Sequence, residues 1–214
     1  GTQTLSLAEL QGSATGRIFV MGAGPSLLKQ RDLVARLGTT EDTFCCNRTA
    51  LWDGLTFTPT YYACTGRQVR ALVEPDQPPH QKYRFWVGYK KEQQDGWVCV
   101  WKYKDVPLAG VNGWVEPVCT GASQSFIMCQ IAAVLGYTEI YLVGCDMRSG
   151  EHVFGDDKPF VAPPERQIDG LWSWMEQEFN RNGIGLIDTT PGGRLNAVVG
   201  YEPLEEVLGH PVAT

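Results

Sequence analysis

Residues 17–21 (Arg-Ile-Phe-Val-Met) form a largely apolar run that halts at the small-residue stretch Gly22-Ala23-Gly24-Pro25-Ser26. Leu27, Leu28, Leu33, Val34 and Leu37 then recur near the 3.6-residue period, which predicts a helix closed by Gly38. Residues 43–46 and 60–64 read as two further buried strands. Strands that are apolar throughout, rather than alternating, belong to a parallel sheet covered on both faces. From 74 to 115 the pattern changes. Pro75, Pro78 and Pro79 open a segment that carries Trp86, Trp97, Trp101 and Trp114, interleaved with Lys82, Arg84, Lys90, Lys91, Lys102 and Lys104. Residues 83–87 and 97–103 alternate as half-buried strands do, and the polar stretch between them predicts an inserted hairpin or lid beside the main sheet. Beyond it, 121–135 is apolar nearly all round and predicts a buried helix capped by Gly136. Residues 139–143 predict a strand ending in Gly144-Cys145-Asp146, 164–180 an amphipathic helix, 185–187 a last short strand and 203–208 a closing helical turn.

Composition narrows this picture. At 214 residues the expectation is one α/β domain spanning 1–214, with 74–115 as an inserted subregion. The net charge of −6, with 43% hydrophobic and 20% charged residues, is that of a soluble globular chain. An acidic balance argues against a nucleic-acid or membrane-surface binder, because counterion release needs a basic face. The seven cysteines include no Cys-x-x-Cys pair, so neither a zinc site nor a disulfide framework is expected. With no apolar window approaching the ~18 residues of a membrane span and no basic-then-apolar leader, the expected setting is the reducing cytoplasm.

Candidate chemistry gathers at strand ends. Gly22, Ala23, Gly24, Pro25 and Ser26 follow the first strand and open the first helix. Small residues there admit close backbone approach, and helix-start N–H groups favour an anion; the bland alternative is a tight strand–helix turn. No third glycine follows, and no Gly-Lys-Ser/Thr, so neither a dinucleotide nor a P-loop signature is met. Asn47 ends the second strand, as a ligand contact or a turn former. Thr120, Gly121 and Ser123 precede the buried helix, as ligand-side donors or plain caps. Gly144 and Asp146 end another strand, and Arg148, Glu151, His152, Asp156 and Asp157 follow on a loop. Four strand ends carrying Gly, Asn, Thr/Ser and Asp along one sheet edge point to a nucleotide site.

Several of these blocks resemble a known family. Val20-Met-Gly22-Ala-Gly24-Pro25-Ser26-Leu27, then Phe44-Cys-Cys46-Asn47, then Met128-Cys129-x-x-Ala132-x-x-Leu135-Gly136-Tyr137-x-Glu139-Ile140-Tyr141-Leu142-x-Gly144-x-Asp146 are similar to the Campylobacter-type bacterial sialyltransferases. The resemblance spans about residues 17–189 apart from the Trp-rich insert. The same blocks recur in proteins of phages and lipopolysaccharide loci and in archaeal hydroxymethylpterin pyrophosphokinases. The tail, Asp188-Thr-Thr-Pro-Gly-Gly-Arg194-Leu195-Asn196, looks like the phage branch.

The resemblance implies a Rossmann-like (GT-A-like), mostly parallel sheet and metal-independent, inverting transfer of sialic acid from its CMP ester. Gly22 and Gly24 would approach the phosphate, Asn47 would contact the nucleotide or donor sugar, Ser123 would mark the ligand side of the buried helix, and Gly144 would border the nucleotide. Ala23 stands where the family has Asn, and Met147 and Arg148 stand where it has phosphate-holding tyrosines. Pro163-Pro164-Glu165-Arg166 occupies the region of its catalytic histidine. The expected partners are a nucleotide-activated sugar and a glycan or other hydroxyl acceptor, with no cofactor. Arg148 would hold phosphate, and His152, Asp156 or Asp157 would take the acceptor proton. The Trp/Lys insert would cover the site or form a homo-oligomer contact. Two alternatives stay open: Mg²⁺-dependent pyrophosphoryl transfer to a small alcohol such as a pterin, with Asp146, Asp156 and Asp157 holding the metal, and a non-catalytic, phage-associated nucleotide-binding scaffold.

Overall fold

The computed structural model describes residues 5–65, 80–89, 95–104, 108–121, 123–155, 161–162 and 164–210. Its centre is an eight-stranded sheet: β1 (Arg17–Met21), β2 (Asp42–Cys46), β3 (Tyr61–Thr65), β4 (Tyr83–Gly88), β5 (Val98–Tyr103), β6 (Val118–Cys119), β7 (Glu139–Val143) and β8 (Gly185–Asp188). They lie in the order β6-β5-β4-β3-β2-β1-β7-β8, and every neighbouring pair is parallel. The helices are α1 (Ser26–Lys29), α2 (Arg31–Thr40), α3 (Gln124–Leu135), α4 (Glu165–Arg181), α5 (Asn196–Val199) and α6 (Leu204–Gly209). This is the doubly covered parallel α/β architecture that the apolar strands predict and the Rossmann-like fold that the resemblance implies.

Strand alternation divides the core into two layers. Ile18, Val20, Phe44, Ile140 and Leu142 pack with α3 and α4 on one face. Phe19, Met21, Cys45, Tyr141 and Val143 pack with Leu27, Val34, Leu37, Leu204 and Val207 on the other. Helix α3 is buried from Ser125 to Leu135 because it lies beneath the middle of the sheet. It ends at Gly136, whose φ of +112° belongs to the left-handed region, and any Cβ there would fall 2.3 Å from the Ala14 carbonyl oxygen.

The structure corrects two details. The first predicted helix is broken at Gln30 into α1 and α2, and Gly38 lies within α2 rather than capping it. A Cβ at Gly38 would fall 2.0 Å from Phe57 Cγ, so packing against that ring explains the glycine. The second correction concerns the inserted hairpin. β4 and β5 exist near the predicted positions, but they are parallel neighbours within the main sheet, with Phe85 opposite Val98 and Val87 opposite Val100. Alternation records half-burial near the end of a sheet, which hairpins and outer parallel strands share, so it cannot tell the two apart. Residues 74–79, 90–94 and 105–107 of this segment lie outside the described residues. Among the described residues no helix is long and apolar enough to cross a membrane.

Candidate functional site

The sheet order reverses between β1 and β7. Successive strands β2 to β6 step away on one side of β1, and β7 and β8 lie on the other. Connections that leave in opposite directions open a crevice at the carboxyl ends of the two strands, the ligand position of open α/β sheets. A cavity of about 350 Å³ occupies it, walled by Gly22 to Pro25, Cys46 to Thr49, Ser123 to Ser125, Gly144 to Arg148, and Glu151, His152 and Phe154.

Close packing, before any ligand, explains the two glycines of the first turn. A Cβ at Gly22 would sit 2.5 Å from the Gly144 carbonyl oxygen, and one at Gly24 would sit 1.8 Å from Asp146 Oδ2. The loop's donors are also largely committed. Gly22 N–H donates to Val143 O and Gly24 N–H to Gly144 O, each at 2.8 Å. Ser26 donates to Asp146 Oδ2 through its hydroxyl at 2.7 Å and its N–H at 3.4 Å. Asp146 therefore caps the start of α1. Among the described residues, Ala23 alone in this loop keeps an N–H with no protein acceptor, while its carbonyl accepts from Val153 N at 2.8 Å and so pins the 151–155 loop over the turn.

Other walls are set by backbone shape. Asn47 (φ 48°) and Met147 (φ 51°) are non-glycine residues in the left-handed region, and Gly144 joins them at 65°. Such strain persists only where surroundings enforce it, and it clusters at ligand sites. At Asn47 the enforcing contacts are visible: its Oδ1 accepts from Thr65 N at 3.0 Å and its Nδ2 donates to Thr65 Oγ1 at 3.1 Å. The asparagine thus braces the ends of β2 and β3 against each other. α3 begins at the cavity wall, with Ser123 Oγ accepting from Phe126 N at 3.3 Å. The N–H groups of Gln124 and Ser125 lie in that first turn, at the positive end of the helix. The Arg48 guanidinium lies 4.3 Å from the centre of the Phe154 ring, and the His152 ring is 5.4 Å from it. Burial pushes the Cys46 and Cys145 thiols up from their ordinary values, so these wall cysteines are packing groups rather than nucleophiles.

No protein-family model and no curated protein matches the chain. Among solved structures, MAf glycosyltransferase from Magnetospirillum magneticum AMB-1 is similar with a TM-score of 0.61 at 14% identity, over 100% of this chain and 40% of that one. The chain thus spans well under half the length of that protein. The sialyltransferase CST-II of Campylobacter jejuni, in complex with a trisaccharide acceptor and CMP, has a TM-score of 0.57 at 18% identity over 87% and 86% of the two chains. The monofunctional α-2,3-sialyltransferase Cst-I from the same organism has a TM-score of 0.57 at 16% identity over 89% and 81%. The chain shares their fold.

Most candidate residues from the sequence meet at this cavity. Gly22, Ala23, Gly24, Pro25, Asn47, Ser123, Gly144, Asp146, Arg148 and His152 line it. Ser26 lies behind the wall, buried against Asp146. Thr120 and Gly121 stand apart from the lining: Thr120 N–H donates to Tyr103 O, and a Cβ at Gly121 would meet the Phe126 ring at 2.1 Å. Arg148 is exposed, its Nε on the Gly192 carbonyl at 3.3 Å. Asp156 and Asp157 lie outside the described residues. Sequence reasoning missed Arg48, Thr49, Gln124, Ser125 and Phe154. Arg48 follows Asn47 at a strand end and Phe154 follows His152 by two, so adjacency to the motif residues was the available signal.

Proposed function

We propose that the chain transfers a sialic-acid-like sugar from a nucleotide-activated donor, of CMP type, to a hydroxyl acceptor such as a glycan. The observation that carries this reading is the cavity at the β1/β7 switch point with the N-terminus of α3 in its wall. The fold it shares with a CMP-bound sialyltransferase supports the choice of donor. In this reading the acceptor oxygen forms the new bond to the anomeric carbon as that carbon's bond to the phosphate oxygen breaks. The electron pair leaves with CMP, and the acceptor proton passes to His152, which lines the cavity. Negative charge grows on the departing phosphate, and the first-turn N–H groups of α3 and the Ala23 N–H are placed to meet it without reorganising. No metal or cofactor takes part. The Asp146 carboxylate already accepts from Ser26, which favours this reading over pyrophosphoryl transfer through a carboxylate-held Mg²⁺.

The test is a thermal-shift panel of CMP, CDP, UDP, GDP and ATP, each with Mg²⁺ and with chelator, followed by CMP release from CMP-sialic acid. CMP at ~100 times its Kd is expected to stabilise the protein by about 2.7 kcal/mol, with or without chelator. His152→Ala is expected to lower CMP release by roughly 10²–10⁴-fold while leaving the CMP shift in place. A shift with ATP and Mg²⁺ alone would replace this reading with the pyrophosphokinase, and no shift at all would replace it with the scaffold.

A further inference from the structure

We infer that the outer face of α4 carries a second binding site, a shallow groove that takes an oligosaccharide and holds the acceptor glycan beside the cavity. The inference deepens the transfer reading above and rests on it for the acceptor role.

The groove comes from the helix pattern. α4 turns Ile168, Trp172, Met175 and Phe179 into the core, all of them buried. Arg166, Gly170, Ser173, Trp174 and Gln177 recur at the same spacing on the opposite side. A glycine in mid-helix weakens the helix, and Gly170 relieves no crowding within the chain, since a Cβ there would meet nothing within 4 Å. What the missing side chain leaves is a notch beside Trp174. The groove around it measures about 660 Å³ and runs from Glu165 to Gln177, roughly 18 Å along the helix axis.

Its chemistry suits a sugar. Trp174 keeps 38% of its surface exposed, although Trp172, two positions back, is wholly buried. An indole face gives the apolar C–H side of a sugar ring a flat contact, and Trp174 is the one large apolar group in the lining. Beside it stand groups that match hydroxyls. Gln177 Nε2 donates to Ser173 Oγ at 3.3 Å, which sets the amide, with its carbonyl acceptor, along the groove. Arg166, exposed at the other end, adds a planar fork of donors.

Charge and size decide between occupants. Arg194 pairs with Asp169 at 2.7 Å and faces Glu165 at 3.8 Å, so with Arg166 the two cations and two carboxylates here cancel. A face without net charge has no hold on nucleic acid or an anionic membrane. A second protein chain needs an apolar interface core and about 800 Å² on each side, and one ring in a polar groove does not supply it. A polyhydroxyl ligand with an apolar face matches every group in the lining. The position fits an acceptor as well. Arg194 joins the start of α4 to the cavity, its side chain on Asp169 and its N–H donating to Asp146 O at 2.9 Å.

The experiment titrates the full chain, without nucleotide, with lactose, sialyllactose, lacto-N-neotetraose and maltotetraose. Proton–nitrogen correlation spectra follow the Trp174 indole N–H peak, identified by its absence from Trp174→Ala. Gly170→Leu fills the notch with a better helix former, so its Tm is expected to equal or exceed that of the wild type. At least one of the four sugars is expected to shift the peak with a millimolar Kd, and Gly170→Leu to weaken that Kd roughly tenfold or more. A peak that none of them moves overturns the inference, as does a Kd that is unchanged in Gly170→Leu. Wild-type protein that self-associates with rising concentration, while Gly170→Leu does not, overturns it too, because a second copy then fills the notch. These outcomes are separate from the nucleotide panel. A titrating peak with no response to CMP overturns the transfer reading and leaves a glycan-binding face, and a CMP response with a silent peak does the reverse.

Discussion

Asp146 and Asp188 show how much of the cavity depends on single carboxylates placed where water is scarce. Asp146 closes the gap that Gly24 leaves open, and its own carbonyl accepts from Arg194 N at 2.9 Å. Arg194 belongs to the loop that Asp188 organises. Asp188 is fully buried at the end of β8, with Oδ1 accepting from Thr190 N at 3.0 Å and Oδ2 from Asn196 Nδ2 at 2.7 Å. The same loop returns to the cavity floor, where Cys145 N–H donates to Thr190 Oγ1 at 2.9 Å. Burial raises the Asp188 carboxyl to about 7; its hydrogen bonds to Thr190 and Asn196 pull it down without offsetting that, and nearby Asp146 adds to the rise. The folded chain therefore holds a proton that the unfolded chain releases between about pH 4 and pH 7. The stability contributed by that proton is complete below the unfolded value and drains away as pH rises through 7, by up to about 1 kcal/mol per pH unit. Asp188→Asn removes the titration. Urea unfolding from pH 5 to pH 8 should show a flatter profile in the variant than in the wild type, with wild-type stability falling more steeply. Parallel profiles would mean that Asp188 stays ionised in the folded chain.

Helix α3 carries the same lesson at the scale of an element. After Gln124 and Ser125 in its first turn, its sequence is apolar save for Gln130, which is fully buried. The side chain spends its whole hydrogen-bonding capacity on backbone: Oε1 accepts from Ala109 N at 3.2 Å and Cys119 N at 2.8 Å, and Nε2 donates to Cys119 O at 2.8 Å and Phe126 O at 3.1 Å. A two-residue strand such as β6 has little ladder of its own, so this amide clamps it to α3. Gln130→Leu keeps the bulk and strands three buried backbone groups of Ala109 and Cys119, which should cost about 2–5 kcal/mol in chemical unfolding. A loss below 1 kcal/mol would show that β6 is held by its strand pairing instead. The case also shows what was legible. β1 and β7 coincide with their predicted runs, and α3 and α4 differ from theirs only near the ends, because long periodic or wholly apolar segments declare themselves. β6 and α5 do not, since what fixes them is a distant side chain or a loop network such as Asp188 with Asn196. The α1/α2 break at Gln30 was equally hidden: Gln30 is buried, with its amide donating to Thr189 O at 2.9 Å, a contact 159 positions away.

At the scale of the molecule, the site exists because the sheet changes direction once. The sequence shows four polar strand ends. Their convergence follows from strand order, which places β1 between β2 and β7 and aligns the three carboxyl ends. Residues that sit on the edge by virtue of that order, Arg48 and Phe154 above all, were therefore signalled only by their adjacency to Asn47 and His152, whereas Gly22, Gly24, Gly144 and Asp146 were legible as motif residues themselves. Packing demands glycine where Gly144 and Asp146 press on the first turn, and that pattern is visible in one dimension. A ligand in the cavity would touch chain on both sides of the switch point: the β2 turn, the start of α3 and the 144–154 segment. Since β1 and β7 are the one strand pair joining the two halves of the sheet there, such a ligand ties the halves together and suppresses their local opening. Hydrogen exchange with saturating CMP should slow at 47–51, 123–127 and 144–155 together, and stay unchanged at the start of β4 and β5 on the opposite sheet edge. Protection confined to 80–84 and 96–98 would place the nucleotide among His80, Lys82 and Arg84 instead, at the small cavity of about 130 Å³ there, and the switch-point site would fall.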